Sequence, residues 1–186
     1  MKNDIKYADF LIDRSFKGAY SLVQEGETQN ATWGEDKMVR LYKALDIANY
    51  FLFKAGKDGE LISNLKLQKL VYYAQGIHLA LYGKPIFNDP IKAWTYGPVV
   101  PSLYGRYKKH GMGNVPLDPS FDPKKIDQKT KDFLDEIYTA FGQFSATRLI
   151  DFTHSDQCWK DAHPNKIITH KAMQESLKKY LKNGKK

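Results

Sequence analysis

One cysteine, Cys158, stands among the 186 residues, so no disulfide can close within the chain. That usage fits a reducing compartment. No apolar run approaches the roughly 18 to 20 residues that a membrane-spanning helix needs. The opening stretch MKNDIKYADF also lacks the apolar core of a secretion signal. A cytoplasmic chain without membrane contact is expected. Motifs that announce chemistry are missing as well: no phosphate-cradling glycine loop, and no paired carboxylates in a setting suited to acid–base work. His154, Cys158, His163 and His170 crowd one stretch, but their gaps fit no standard zinc-site spacing. A Cys158–His nucleophilic pair would need an orienting third group and an oxyanion donor, and neither is legible. The reading is therefore no catalytic residue, no metal ligand and no cofactor, which argues against an enzyme. His78 falls on an apolar helix face and is expected to be a hydrogen-bonded core histidine.

What is present suits one domain with a real core. Lysine and arginine number 29 against 21 acidic residues, a formal net charge of +8. The excess gathers in RYKKH (106–110), KKIDQKTK (124–131) and KKYLKNGKK (178–186). None of these forms an aromatic-interleaved sheet motif or a paired-helix signature. They read as solvated basic surface, or as contacts for an acidic protein or a nearby RNA, and direct nucleic-acid binding is not expected.

Residues 1–39 read as an N-terminal extension, with short apolar clusters interrupted by Gly18, Gly26 and Gly34 and a polar loop around Trp33. From Met38 the pattern turns helical: Leu41, Leu45, Ala48 and Leu52 recur at helical spacing until Gly56. Ser63 or Asn64 can cap a second helix, about 64–82, that stops at Gly83. Pro85 and Pro90 enforce a non-helical connection with a short extended pair around 86–95. Pro98 or Pro101 can start a helix to about His110. After an irregular loop, 111–125, come helical patterns over about 127–141, 145–154 and 169–182, with Ser145 and Thr169 as caps for the last two. The expectation is a mainly α fold: a single compact helical domain of about six helices over 40–182, at most a small β element, and a basic tail, 183–186.

In the second helix Leu67, Leu70, Val71, Ala74, Ile77, His78 and Leu81 share one face, while Gln68, Tyr72, Gln75, Leu79 and Tyr82 follow on a neighbouring one. Tyrosine and tryptophan give large contact area and can hydrogen-bond at a wet boundary, although such stripes also serve plain packing. The expected division buries Tyr73 and Trp94 and leaves Gln68, Tyr72 and Gln75 bordering a surface groove. Gly97 and Pro98 would fix the turn closing over it.

A denser pattern overlies this. The chain carries Leu67, Gln68, Lys69, Leu70, Tyr72, Tyr73, Ala74, Gln75, Gly76, Gly83, Pro85 and Phe87, then Ala93, Trp94, Gly97, Pro98, Val99 and Tyr104. It also has ALDIANYFL (44–52) upstream and LIDFTHSDQCW (149–159) downstream. In these positions it resembles the Panacea-domain, SocA-like antitoxins over about residues 40–182, with Cys158 where that family often has proline. The resemblance implies an antitoxin that neutralises a cognate protein toxin, encoded by the adjacent gene, through direct complex formation. It implies toxins such as translation-blocking relatives of alarmone synthetases. An alternative it carries is a proteolytic adaptor delivering the toxin to the ClpXP protease. Some members add a DNA-binding domain, which residues 1–39 do not resemble. The residues implied for family core or partner binding are Gln68, Lys69, Tyr72, Tyr73, Gln75, Gly76, Trp94, Tyr96, Gly97, Pro98 and Tyr104.

Overall fold

A computed structural model describes residues 41–181. The expected N-terminal extension with Trp33, the helix start at Met38 and the basic tail lie outside the described residues. Within them the order is α1 (Ala44–Lys57), α2 (Asn64–Tyr82), β1 (Lys92–Trp94), β2 (Gly97–Val99), α3 (Pro101–Tyr107), α4 (Gln128–Phe141), α5 (Ala146–Ser155), α6 (Gln157–Ala162) and α7 (His170–Leu177). Short 3-10 turns follow α3 and α7, and one precedes α4. The protein is mainly α, with one two-stranded hairpin among the described residues.

α2 is the axis of the fold. The Ser63 hydroxyl accepts the Lys66 N–H at its start, and Gly83, in the left-handed region, donates its N–H to Leu79 at its end. Between these caps the helix buries residues on most of its circumference, the mark of a helix enclosed by neighbours rather than one lying on a surface. α1, α4, α5, α7, α3 and β2 all pack against it. They contribute Ile47 and Phe51, Leu134 and Phe141, Leu149, Met173 and Leu177, all buried. Tyr73 of α2 stacks on Phe141 with ring centroids 3.9 Å apart and meets Tyr180 edge-on at 5.8 Å. A Cβ at Gly76 would overlap the Leu177 side chain, so this glycine sets how closely α7 approaches.

The surrounding helices are capped as their sequences direct. Asp127, Ser145 and Thr169 accept the N–H groups of Thr130, Arg148 and Ala172. α1 starts later than its apolar period suggests. Lys43 is its extended N-cap, Leu41 lies half exposed, and Tyr42 instead bridges to Phe87, its N–H reaching the Ile86 carbonyl at 2.9 Å. Asp89 completes the N-terminus of α1 from a distant loop, accepting the Ala44 N–H at 3.0 Å.

The extended pair lies further along than 86–95. β1 and β2 pair antiparallel with Lys92 opposite Val99, Ala93 opposite Pro98 and Trp94 opposite Gly97. Thr95 and Tyr96 form the connection, and Gly97 takes φ +93, which a residue with a side chain adopts only under strain. Pro98 therefore belongs to β2, and Pro101 is the proline that opens α3. The far edge of β1 is also bonded: Asn165 donates to the Ala93 carbonyl at 2.7 Å, and Ala93 donates to Lys166 at 3.0 Å. α6 is a helix additional to the expected six. It spans six residues, too few for a periodic signal to emerge.

Candidate partner-binding face and the polar core beneath it

The polar residues of α2 do not border a groove. Gln68, Lys69, Tyr72 and Gln75 are all buried, because neighbouring elements enclose α2 from Leu67 to Ile77. A buried polar group must find partners; Gln68, Lys69 and Gln75 each fasten a different piece of backbone to the helix, and Tyr72 bonds the side chains of Asp156 and Cys158. Gln75 accepts the N–H groups of Ile86 and Phe87 at 3.0 and 3.3 Å, donates to the Phe87 carbonyl at 2.8 Å, and meets His170 Nε2 at 3.1 Å. Gln68 accepts the Val100 N–H at 2.8 Å and donates to Asn64 Oδ1 at 3.1 Å. The loop 84–90 and the exit of β2 are thus held by two side-chain amides that imitate main-chain pairing.

Lys69 fastens the hairpin itself. Its Nζ donates to the Pro98 carbonyl at 3.0 Å, and no carboxylate among the described residues lies within salt-bridge distance. Burial without a counter-charge disfavours the ammonium form and lowers its pKa to about 7. Catalytic lysines use such depressed basicity. Here the amine is covered by Gly97 and by Thr153 of α5, so the geometry makes it a strut. A Cβ at Gly97 would come within 2.7 Å of both Lys69 Nζ and Thr153 Oγ1. Glycine is required there by space as well as by φ.

A second buried group was not singled out from sequence. Asp156, fully buried between α5 and α6, accepts the Tyr72 hydroxyl at 2.9 Å, the Tyr180 hydroxyl at 2.8 Å and the Lys179 ammonium at 2.7 Å. Desolvation pushes its carboxyl up from the ordinary carboxylate range, and Lys179 and the hydroxyls oppose that. Cys158 lies beside this cluster, Sγ 3.1 Å from the Tyr72 hydroxyl, and burial raises its thiol pKa. An aspartate in a short link between helices carries no periodic signal, so only tertiary packing discloses it. His78 is half-buried, with Nδ1 2.7 Å from the Lys84 carbonyl and its pKa lowered by desolvation. Among the described residues no group of three or more His, Cys, Asp or Glu side chains could hold a metal ion.

Outward of Lys69 lies an aromatic face. Trp94 is half-buried rather than enclosed, because β1 sits at the surface and its Lys92–Trp94 side faces outward while Ala93 faces in. Tyr104 of α3 meets Trp94 edge-on at 5.0 Å and is itself exposed. Tyr96, at the hairpin tip, is 68% exposed. On the other flank His154, Trp159 and His163 stack in series, with centroid distances of 3.9 and 4.8 Å, and Trp159 Nε1 donates to the Trp94 carbonyl at 3.2 Å. Desolvation lowers the His154 pKa, and the nearby Lys69 charge adds to the effect. Of the eleven residues singled out from sequence, Gln68, Lys69, Tyr72, Tyr73, Gln75, Gly76, Gly97 and Pro98 lie inside, and Trp94, Tyr96 and Tyr104 reach the surface.

Comparison with known proteins falls on this same unit. The family model described as "Antitoxin SocA-like, Panacea domain" matches residues 67–160, from the first turn of α2 into α6. Antitoxin SocA of Caulobacter vibrioides (strain NA1000 / CB15N) is 31% identical over 120 residues, covering 59% of this chain and 63% of that protein. The chain therefore spans less than two thirds of that relative's length. No solved structure matches at a significant level.

Proposed function

The chain belongs to the family of SocA-like antitoxins that carry the Panacea domain, and from that premise we propose that it neutralises a protein toxin by binding it directly. The observation that carries this reading is the match over residues 67–160. That stretch contains the helix, the hairpin and the fastenings between them as one unit. A unit so braced presents its surface with little conformational freedom left to lose on association, the condition under which modest contact area gives useful affinity. The buried members, Gln68, Lys69, Tyr72, Tyr73, Gln75, Gly76, Gly97 and Pro98, maintain the scaffold. Trp94, Tyr96 and Tyr104 are the contact residues. The partner is the product of the adjacent gene, met in the cytoplasm, and a translation-blocking, alarmone-synthetase-like toxin belongs to the class expected.

Co-expression with the adjacent gene product tests the reading. Growth is restored and the two proteins co-purify in a stable complex, with the toxin's half-life unchanged. Unrelieved toxicity without co-purification refutes it, and relief only through rapid loss of the toxin in cells containing ClpXP replaces neutralisation by binding with proteolytic delivery.

A further inference from the structure

The exposed aromatic rings around the hairpin have a charge setting of their own. On β1, Lys92 and Trp94 project from the same side of the strand, two residues apart. On α3, Tyr104 is followed one turn later by Lys108, whose N–H closes onto the Tyr104 carbonyl, and the basic run continues through Lys109. Lys108 and Lys109 are exposed and Lys92 is partly so. None of the three has a carboxylate of the described residues within salt-bridge distance, whereas Arg106 close by is occupied by Asp118. Gly105, beside Tyr104, leaves open space where a side chain would stand. The result is an apolar centre that can exclude water, a vacant step next to it, and a cationic rim without counter-charges among the described residues.

We propose that the face formed by Trp94, Tyr96 and Tyr104, rimmed by Lys92, Lys108 and Lys109, receives an apolar segment of the toxin that carries carboxylates. The proposal rests on the antitoxin reading and adds to its contact residues the basic rim and the partner's chemistry. Aromatic anchors surrounded by charge match the anatomy of protein interfaces, where Tyr and Trp supply most of the binding energy and the charged rim governs encounter and register. Single-stranded nucleic acid also favours aromatic and basic surfaces, but it stacks on open ring faces. Trp94 and Tyr104 are set edge to face at 72°, which partly covers the platform.

The test uses the full chain and the adjacent gene product. Tyr96→Ala with Tyr104→Ala removes the two exposed anchors, and Lys108→Glu with Lys109→Glu reverses the rim. Gly105→Glu fills the vacant step with bulk and negative charge on a helical backbone that tolerates it. Lys124→Glu with Lys125→Glu, in a basic cluster elsewhere, is the control. Circular dichroism and melting temperature establish that each variant folds. The tyrosine pair weakens toxin binding roughly 30-fold or more. The rim reversal weakens it roughly tenfold and flattens its salt dependence. Gly105→Glu abolishes growth rescue, and the control stays within about twofold. Wild-type binding with unaffected face variants overturns the proposal while leaving the antitoxin reading intact. No wild-type binding removes both. Loss of binding to a labelled single-stranded RNA oligonucleotide in the face variants, with toxin binding unchanged, assigns the face to nucleic acid and overturns the proposal.

Discussion

Replacing Lys69 by methionine isolates the titration of one buried amine. In the folded protein this group changes protonation near pH 7, because burial strips its hydration and supplies only the Pro98 carbonyl in return. In the unfolded chain it stays protonated to about 10.4. Between these values the unfolded state holds more protons than the folded one, so stability rises with pH across that window. The whole interval corresponds to roughly 4 to 5 kcal/mol, of which about 1.5 kcal/mol falls between about pH 7 and about pH 8.5. His78 and His154, both shifted downward, titrate mainly below this window and occur in both proteins, so they contribute little to a comparison of wild type and variant. Cys158, shifted upward, opposes the trend from about pH 8, where the unfolded thiol begins to ionise, and does so in both proteins. Methionine retains the apolar stem without an ionisable head. Urea unfolding of both proteins at several pH values across this span gives the difference in stability at each. That difference shifts by about 1.5 kcal/mol in favour of the wild type from the lower to the higher pH, whatever the absolute stability of the variant. A difference independent of pH would refute the claim that Lys69 is held without a counter-charge.

Gly97→Ala introduces a Cβ within 2.7 Å of Lys69 Nζ and Thr153 Oγ1 on a backbone at φ +93. A loss of roughly 2 to 4 kcal/mol is expected, read in calorimetry as a melting temperature lower by roughly 6 to 12 °C. Gln75→Leu keeps the volume but leaves the Ile86 and Phe87 N–H groups and the Phe87 carbonyl without their partner. It costs about 2 to 4 kcal/mol, and hydrogen exchange accelerates at those two amides before it does in α4.

Helix positions were largely legible because their signals are local. Ser63, Ser145 and Thr169 cap where they stand, Gly83 stops α2 and Pro101 opens α3. α1 starts later than its apolar period suggests, because Leu41 continues that period while Tyr42 is drawn into pairing with Phe87, a residue 45 positions away. The hairpin lies at 92–99 because its register depends on Gly97 fitting under Lys69 and on the 165–168 segment bonding the far edge of β1.

The residues from Leu67 to Tyr104 determined by themselves the family, the long α2 helix and the places where the chain must turn. These follow from neighbours in sequence, from caps and from the identity of single side chains. Tertiary structure alone decided that Gln68, Tyr72 and Gln75 lie inside while Tyr96 and Tyr104 lie outside, and that Asp156 is a buried hub. Periodicity reports which side chains share a helix face but not how many neighbours enclose it. Here seven elements close around α2, so residues suited to a wet groove became the internal bonds that hold its surroundings in place.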